Sequence, residues 1–234
     1  MENNKRVTIN HRLGVYALAV LSPLAGFFFL REDIQGKTPA TAETDSAAVV
    51  TGDPAPPAPP APVIPADSAV EATLRNPRAV EPVPSAYIDT ETLWLARVIY
   101  SESKRIEEQE LVAWVVRNRV ETAYRGKRTY EGVVLDPYQF SAFNPKSRKY
   151  RYYANLDTAS QARGWQQTLA LAYYVRYADA AHRPFPLKTR HFYSEQSLPE
   201  NAVHPAWTEG LEPVVPRRPL QLEAHRFRFY AGVI

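Results

Sequence analysis

The stretch GDPAPPAPPAPVIPA, residues 52–66, constrains this chain more than any other part of it. Proline fixes its own φ, donates no backbone hydrogen bond and pushes the preceding residue out of the helical region, so such a run suits neither a helix nor a sheet interior. The residues around it, 31–86, are mostly small, polar or weakly charged. That composition buries too little apolar surface to offset chain entropy, which makes 31–86 a disordered linker with polyproline II character along its Pro/Ala tract. The chain has 234 residues, 45% of them hydrophobic and 12% aromatic, so a core must be built by residues 87–234.

Upstream of the linker, residues 13–30 are apolar and uncharged. Their length, about 18 residues, is at the lower limit for crossing a bilayer. Lys5, Arg6 and Arg12 precede the stretch, whereas Arg31 is followed at once by Glu32 and Asp33. The positive-inside bias then keeps residues 1–12 cytoplasmic and sends the remainder across an inner membrane into the periplasm. A cleaved signal peptide is the rival reading, but the apolar stretch is long for one, and LAGFFF continues apolar where a cleavage site is expected. The absence of cysteine excludes disulfides, thiol catalysis and cysteine-ligated metals. A net charge of +3, from 28 basic and 25 acidic residues, makes no case for a nucleic-acid partner.

Within 87–234 the periodicity predicts helices first and strands later. IDTETLWLARVIYSES begins with Asp89 or Thr90 as an N-cap, has an acidic first turn and is then apolar almost all round. IEEQELVAWVVRNRVETAYRG carries Leu111, Trp114 and Val115 on one stripe, with Val112, Val116 and Val120 beside it, and is stopped by Gly126. LDTASQARGWQQTLALAYYVRYADAA repeats the pattern through Trp165, Leu169, Ala172 and Tyr173, with Asp157 as its cap. Trp114 and Trp165 are core residues by this spacing. KTRHFYSE and AHRFRFYAGV change to a period of two and read as strands. The expected fold class is α+β, mainly helical with a small antiparallel β element.

Glu102 stands apart in this pattern, because the apolar run LWLARVIY leads straight into it. A glutamate at a helix end is most often exposed and without a chemical role. If this one is partly withdrawn from water, its charged form is disfavoured and its pKa rises, which is what a general acid working near neutrality requires.

The blocks LARVIYSES, LVAWVVRNRV, PYQFSAF, HFYS and HPAW, in that order across residues 93–233, resemble the SleB-type cell-wall hydrolases, a branch of the lysozyme-like peptidoglycan lytic transglycosylases. The resemblance implies a lysozyme-like domain that cuts the MurNAc–GlcNAc bond of peptidoglycan with Glu102 as acid and base. It implies a substrate groove formed by Ser103, Tyr138, Gln139, Phe140, Ser141, His191, Tyr193 and Trp207, with no cofactor and no metal. Family members use a single carboxylate, which protonates the glycosidic oxygen and then assists attack by the sugar's own 6-hydroxyl to leave a 1,6-anhydro product. Simple hydrolysis instead calls for a second carboxylate across the groove, for which Asp136, Asp157 and Glu195 are the candidates. A catalytically idle wall-binding scaffold is the reading from another class. One departure concerns SKRIEEQE, which comes after Glu102 where the family carries Arg-Gly-Glu, so the family's second glutamate falls on Glu107 or Glu108 or has no counterpart.

Other chemistry is weaker. His191, His204 and His225 have no metal-ligand spacing. The run KSRKYRYY, residues 146–153, reads as a solvated loop or as a contact for the lactyl and peptide carboxylates of a glycan strand.

Overall fold

The computed structural model describes residues 64–198, 204–217 and 227–233. The apolar stretch 13–30 and His225 lie outside the described residues. Among those described, no helix is long and apolar enough to cross a membrane. Helices come first: α1 (Asp67–Arg75), α2 (Thr90–Glu102), α3 (Ile106–Glu121), α4 (Tyr130–Val134), α5 (Tyr150–Ala154) and α6 (Trp165–Tyr177). Two strands come after them, β1 (Thr189–Ser194) and β2 (Phe227–Ala231), paired antiparallel in a two-stranded sheet. The mainly helical α+β class is as expected.

Helix α2 starts where the sequence places it. Asp89 accepts a hydrogen bond from the Thr92 amide at 2.8 Å, and Glu91 sits in the first turn, where a negative charge favours the helix dipole. The Asp89 carboxylate also pairs with Arg176 of α6, and it is held below the usual carboxylate range by bonds from Arg176 and Thr92 that outweigh its partial burial. One residue therefore caps α2 and ties it to α6.

Helix α3 is the central element. Leu111, Val112, Ala113, Trp114, Val115 and Val116 are all fully buried, so the stripe read from the sequence is one side of a helix covered all round. It lies against α2, α4, α6 and β1. Burying it completely leaves its polar groups in need of partners. The Trp114 indole N–H donates to Glu110 at 2.8 Å, and Asn118 Nδ2 donates to the Thr189 carbonyl at 2.9 Å. Asn118 is thus a buried brace that pins the start of β1 to the end of α3.

Two sequence expectations need correction. Residues 67–75 are helical and not disordered linker, because Val70 and Leu74 share one face of α1 and are each 1% exposed, buried in the same core as α3, with Val80 also buried. The folded part therefore begins some twenty residues before Tyr87, at about residue 66. The third predicted helix starts later than expected. Asp157 does not cap it but closes a local turn, accepting from the Ala159 amide at 3.1 Å and from the Ser160 hydroxyl at 2.7 Å. Helix α6 begins at Trp165, after Gly164, whose φ of 78° is a left-handed conformation that suits glycine. Trp165 itself is fully buried, as its spacing required.

Candidate active site

Glu102 is the last residue of α2. The chain leaves the helix through Ser103 in an extended conformation, with φ −145° and ψ 156°, and enters α3 at Ile106. This short junction is held from inside. The buried Ser103 hydroxyl donates to Glu108 and accepts from the Arg105 amide at 3.0 Å, while the Ser103 carbonyl accepts from Gln109 Nε2 at 2.7 Å. The Gln109 carbonyl oxygen in turn accepts from the Thr168 hydroxyl of α6 at 2.9 Å. Every one of these residues except Arg105 is buried. Glu102 is consequently presented from a rigid corner where three helices meet.

The Glu102 carboxyl is half-buried and opens into a cavity of about 480 Å³. Burial pushes its pKa up to about 7, against the pull of the Arg119 and Lys149 charges, which favour the carboxylate. Gln139, Ser141 and Tyr193 line the same cavity, together with Phe192, Ser194 and Phe227 from the sheet and Arg119 and Lys149. Four of the residues singled out from the sequence, Glu102, Gln139, Ser141 and Tyr193, therefore converge.

Tyr193 is placed by the sheet. It stands opposite Arg228 of β2, its ring stacks on Tyr230 with centroids 6.0 Å apart, and its hydroxyl meets His204 Nδ1 at 2.7 Å. Burial of the phenol pushes its pKa up to about 12, so it serves as a neutral hydrogen-bonding group.

The remaining sequence candidates stand outside the cavity wall. Ser103 is buried in the junction and supports Glu102 from behind. Phe140 is a core residue lying under the Arg119 guanidinium, which sits 5.1 Å from its ring centroid. His191 bonds the Tyr124 hydroxyl through Nε2 at 2.9 Å, and burial beside Arg119 and Arg190 pushes its pKa down to about 4, so its ring is neutral. Trp207 packs edge-on against Tyr193 and Tyr230 and buttresses them. Tyr138 is exposed, with φ 66°, a left-handed conformation that is unusual for a bulky side chain. Within the sequence's groove, then, these five residues are corrected to supporting or surface positions.

Arg119 and Lys149 are the charged wall residues, and of the two it is Arg119 whose part in the cavity the sequence reading missed. Arg119 is 4% exposed, and burial pushes its pKa down to about 10, so it remains a cation. Its Nε donates to the Arg190 carbonyl of β1 at 2.7 Å, which holds the sheet against the end of α3. Its place, one residue after Asn118 and just beyond the apolar middle of α3, was the available signal. Lys149 belongs to the basic run and lies at the start of α5.

The candidates for a second carboxylate are all engaged elsewhere. Asp136 pairs with Arg125 at 2.5 Å, Glu195 with Arg228 at 2.6 Å and Glu107 with Arg78, while Asp157 holds its own turn and Glu108 its bond from Ser103. Among the described residues that line the cavity, Glu102 is the single carboxylic acid. No group of three potential metal ligands occurs among the described residues.

No protein family model, curated protein or solved structure matches the chain.

Proposed function

We propose that this protein is a glycan-cleaving enzyme that works through one carboxylic acid. More particularly, we read it as a SleB-type lytic transglycosylase acting on peptidoglycan. The observation that carries this reading is Glu102, whose pKa is pushed up to about 7 and which is the one acid among the described residues of a cavity lined by amide, hydroxyl and aromatic groups. A mixed lining of that kind suits a sugar, whose ring faces are apolar and whose hydroxyls need partners.

In the proposed reaction the Glu102 carboxylic acid donates its proton to the glycosidic oxygen as the bond to the anomeric carbon breaks. The carboxylate left behind faces Arg119 and Lys149, whose positive fields stabilise it. It then takes the proton of the muramic acid 6-hydroxyl as that oxygen bonds to the anomeric carbon. One C–O bond breaks and one forms, the proton returns to Glu102, and no water is consumed. A hydrolytic retaining or inverting mechanism calls for a second carboxylate, and the described residues of the cavity wall include none.

The setting is the one the sequence implies: residues 13–30 anchor the chain in the inner membrane, and the linker carries the catalytic domain into the periplasm to reach the wall. The test uses the full chain, in detergent, on purified sacculi. Wild-type protein is expected to release soluble muropeptides, and Glu102→Gln, which keeps shape and loses the proton, to release almost none. Equal release by both proteins would remove Glu102 from the chemistry. No release by either, with binding retained, would leave a wall-binding scaffold.

A further inference from the structure

The cavity holds more positive charge than protonating a glycosidic bond needs. When Glu102 carries its proton, the described wall presents two cations, Arg119 and Lys149, and no anion. They sit at different depths, Arg119 being almost wholly buried and Lys149 exposed at the rim. Neither forms a salt bridge among the described residues. Arg119 spends its Nε on the Arg190 carbonyl, while its buried Nη1 has no hydrogen-bond partner. A buried guanidinium with an N–H that lacks an acceptor is rare in folded proteins, and Arg119, which also lines the cavity, keeps hydrogen-bonding capacity that the described residues leave unused.

Resting on the proposed reading of the site, we propose that the muramic acid beside the cleaved bond is bound through a free lactyl carboxylate held between Arg119 and Lys149, so that the preferred substrate is peptide-free glycan. A planar guanidinium is matched to a carboxylate in geometry as well as charge. A lactyl group that carries a stem peptide is an amide with no charge to offer Arg119.

The test measures binding to the full chain carrying Glu102→Gln, which removes turnover. The probes are a GlcNAc–MurNAc tetrasaccharide with free lactyl carboxylates, the same tetrasaccharide with both converted to methylamides, and chitotetraose. The free acid is expected to bind about tenfold or more tighter than either neutral sugar, as a charge-assisted pair predicts, with the advantage shrinking as salt is added. Adding Lys149→Gln, an exposed substitution that leaves the core untouched, should reduce that advantage severalfold without weakening chitotetraose, and Arg119→Gln should abolish it. Equal binding of acid and methylamide overturns the proposal and leaves the glycan reading standing. Failure of all three sugars to bind overturns both.

Discussion

The hydroxyl of Ser103 donates a hydrogen bond to the buried carboxylate of Glu108, joining the residue after α2 to the first turn of α3. This bond helps to fix the corner that carries Glu102. Ser103→Ala is therefore expected to destabilise the protein by about 1–3 kcal/mol, the range for a lost bond to a charged buried group. It should also lower kcat more than it raises KM, because the proton donor loses its support while the cavity wall stays in place. Denaturant titration together with steady-state kinetics checks both, and unchanged stability would show that the corner is held by other means.

The direction of the Glu102 shift sets the pH dependence. The proton-donating form is the neutral acid, so activity should be flat below the free enzyme's pKa and fall about tenfold per pH unit above it. With the pKa at about 7, the decline begins near neutrality. Removing a neighbouring positive charge disfavours the carboxylate, so Lys149→Gln should move the decline to higher pH. A pH profile of kcat/KM for the two proteins checks this, and a shift to lower pH would reverse the assigned electrostatics.

Tyr138 holds a left-handed backbone conformation while its side chain is 78% exposed, so no core packing accounts for the strain. Such strain is worth about 1 kcal/mol for a residue with a Cβ, and asparagine tolerates it better than tyrosine. Tyr138→Asn should leave stability unchanged or raise it by up to about 1 kcal/mol. If the strain serves to present the ring next to Gln139 for stacking on a sugar, glycan affinity should fall severalfold in the same variant. Thermal unfolding and glycan binding, measured together, separate the two effects.

The position of α1 predicts where the chain can be cut. Val70 and Leu74 are buried as deeply as the centre of the core, and burial of such side chains is worth about 1.5–3 kcal/mol each. A protein that starts at residue 64 should unfold cooperatively, whereas one that starts at residue 87 should be less stable by several kcal/mol. Chemical denaturation of the two fragments decides, and equal midpoints would make α1 dispensable.

Much of this arrangement could be read from the sequence because local rules and tertiary structure agree there. Asp89 caps α2, Trp114 and Trp165 fall on helical stripes, and β1 and β2 form within the two segments expected to be strands. Helix α1 was hidden by its neighbours. Its apolar face is only Val70 and Leu74, next to a proline tract, and it is fixed by docking on the core more than by propensity. Asp157 misled because an aspartate's preference for helix caps and for turns is the same hydrogen bond to a nearby amide. Within the site, Gln139 and Tyr193 reach the cavity and Phe140 and His191 do not, although all four sit in family-like blocks. The packing of β1, whose consecutive residues Phe192, Tyr193 and Ser194 all reach the cavity, and the turn at 138–143 decide this, and spacing alone does not report it. Arg119 was overlooked for a related reason: as a charged residue at a helix end it looks solvated, and only the docking of β1 over it makes it part of the wall.

The central claim is that a single carboxylic acid, Glu102, breaks the glycosidic bond without water. The most direct test is mass analysis of the muropeptides that the full chain releases from sacculi in water enriched in oxygen-18. The account predicts products lighter than the reducing sugars by one water, closed as 1,6-anhydro rings, with no heavy oxygen incorporated and their formation lost in Glu102→Gln. Reducing-end products carrying oxygen-18 would contradict it.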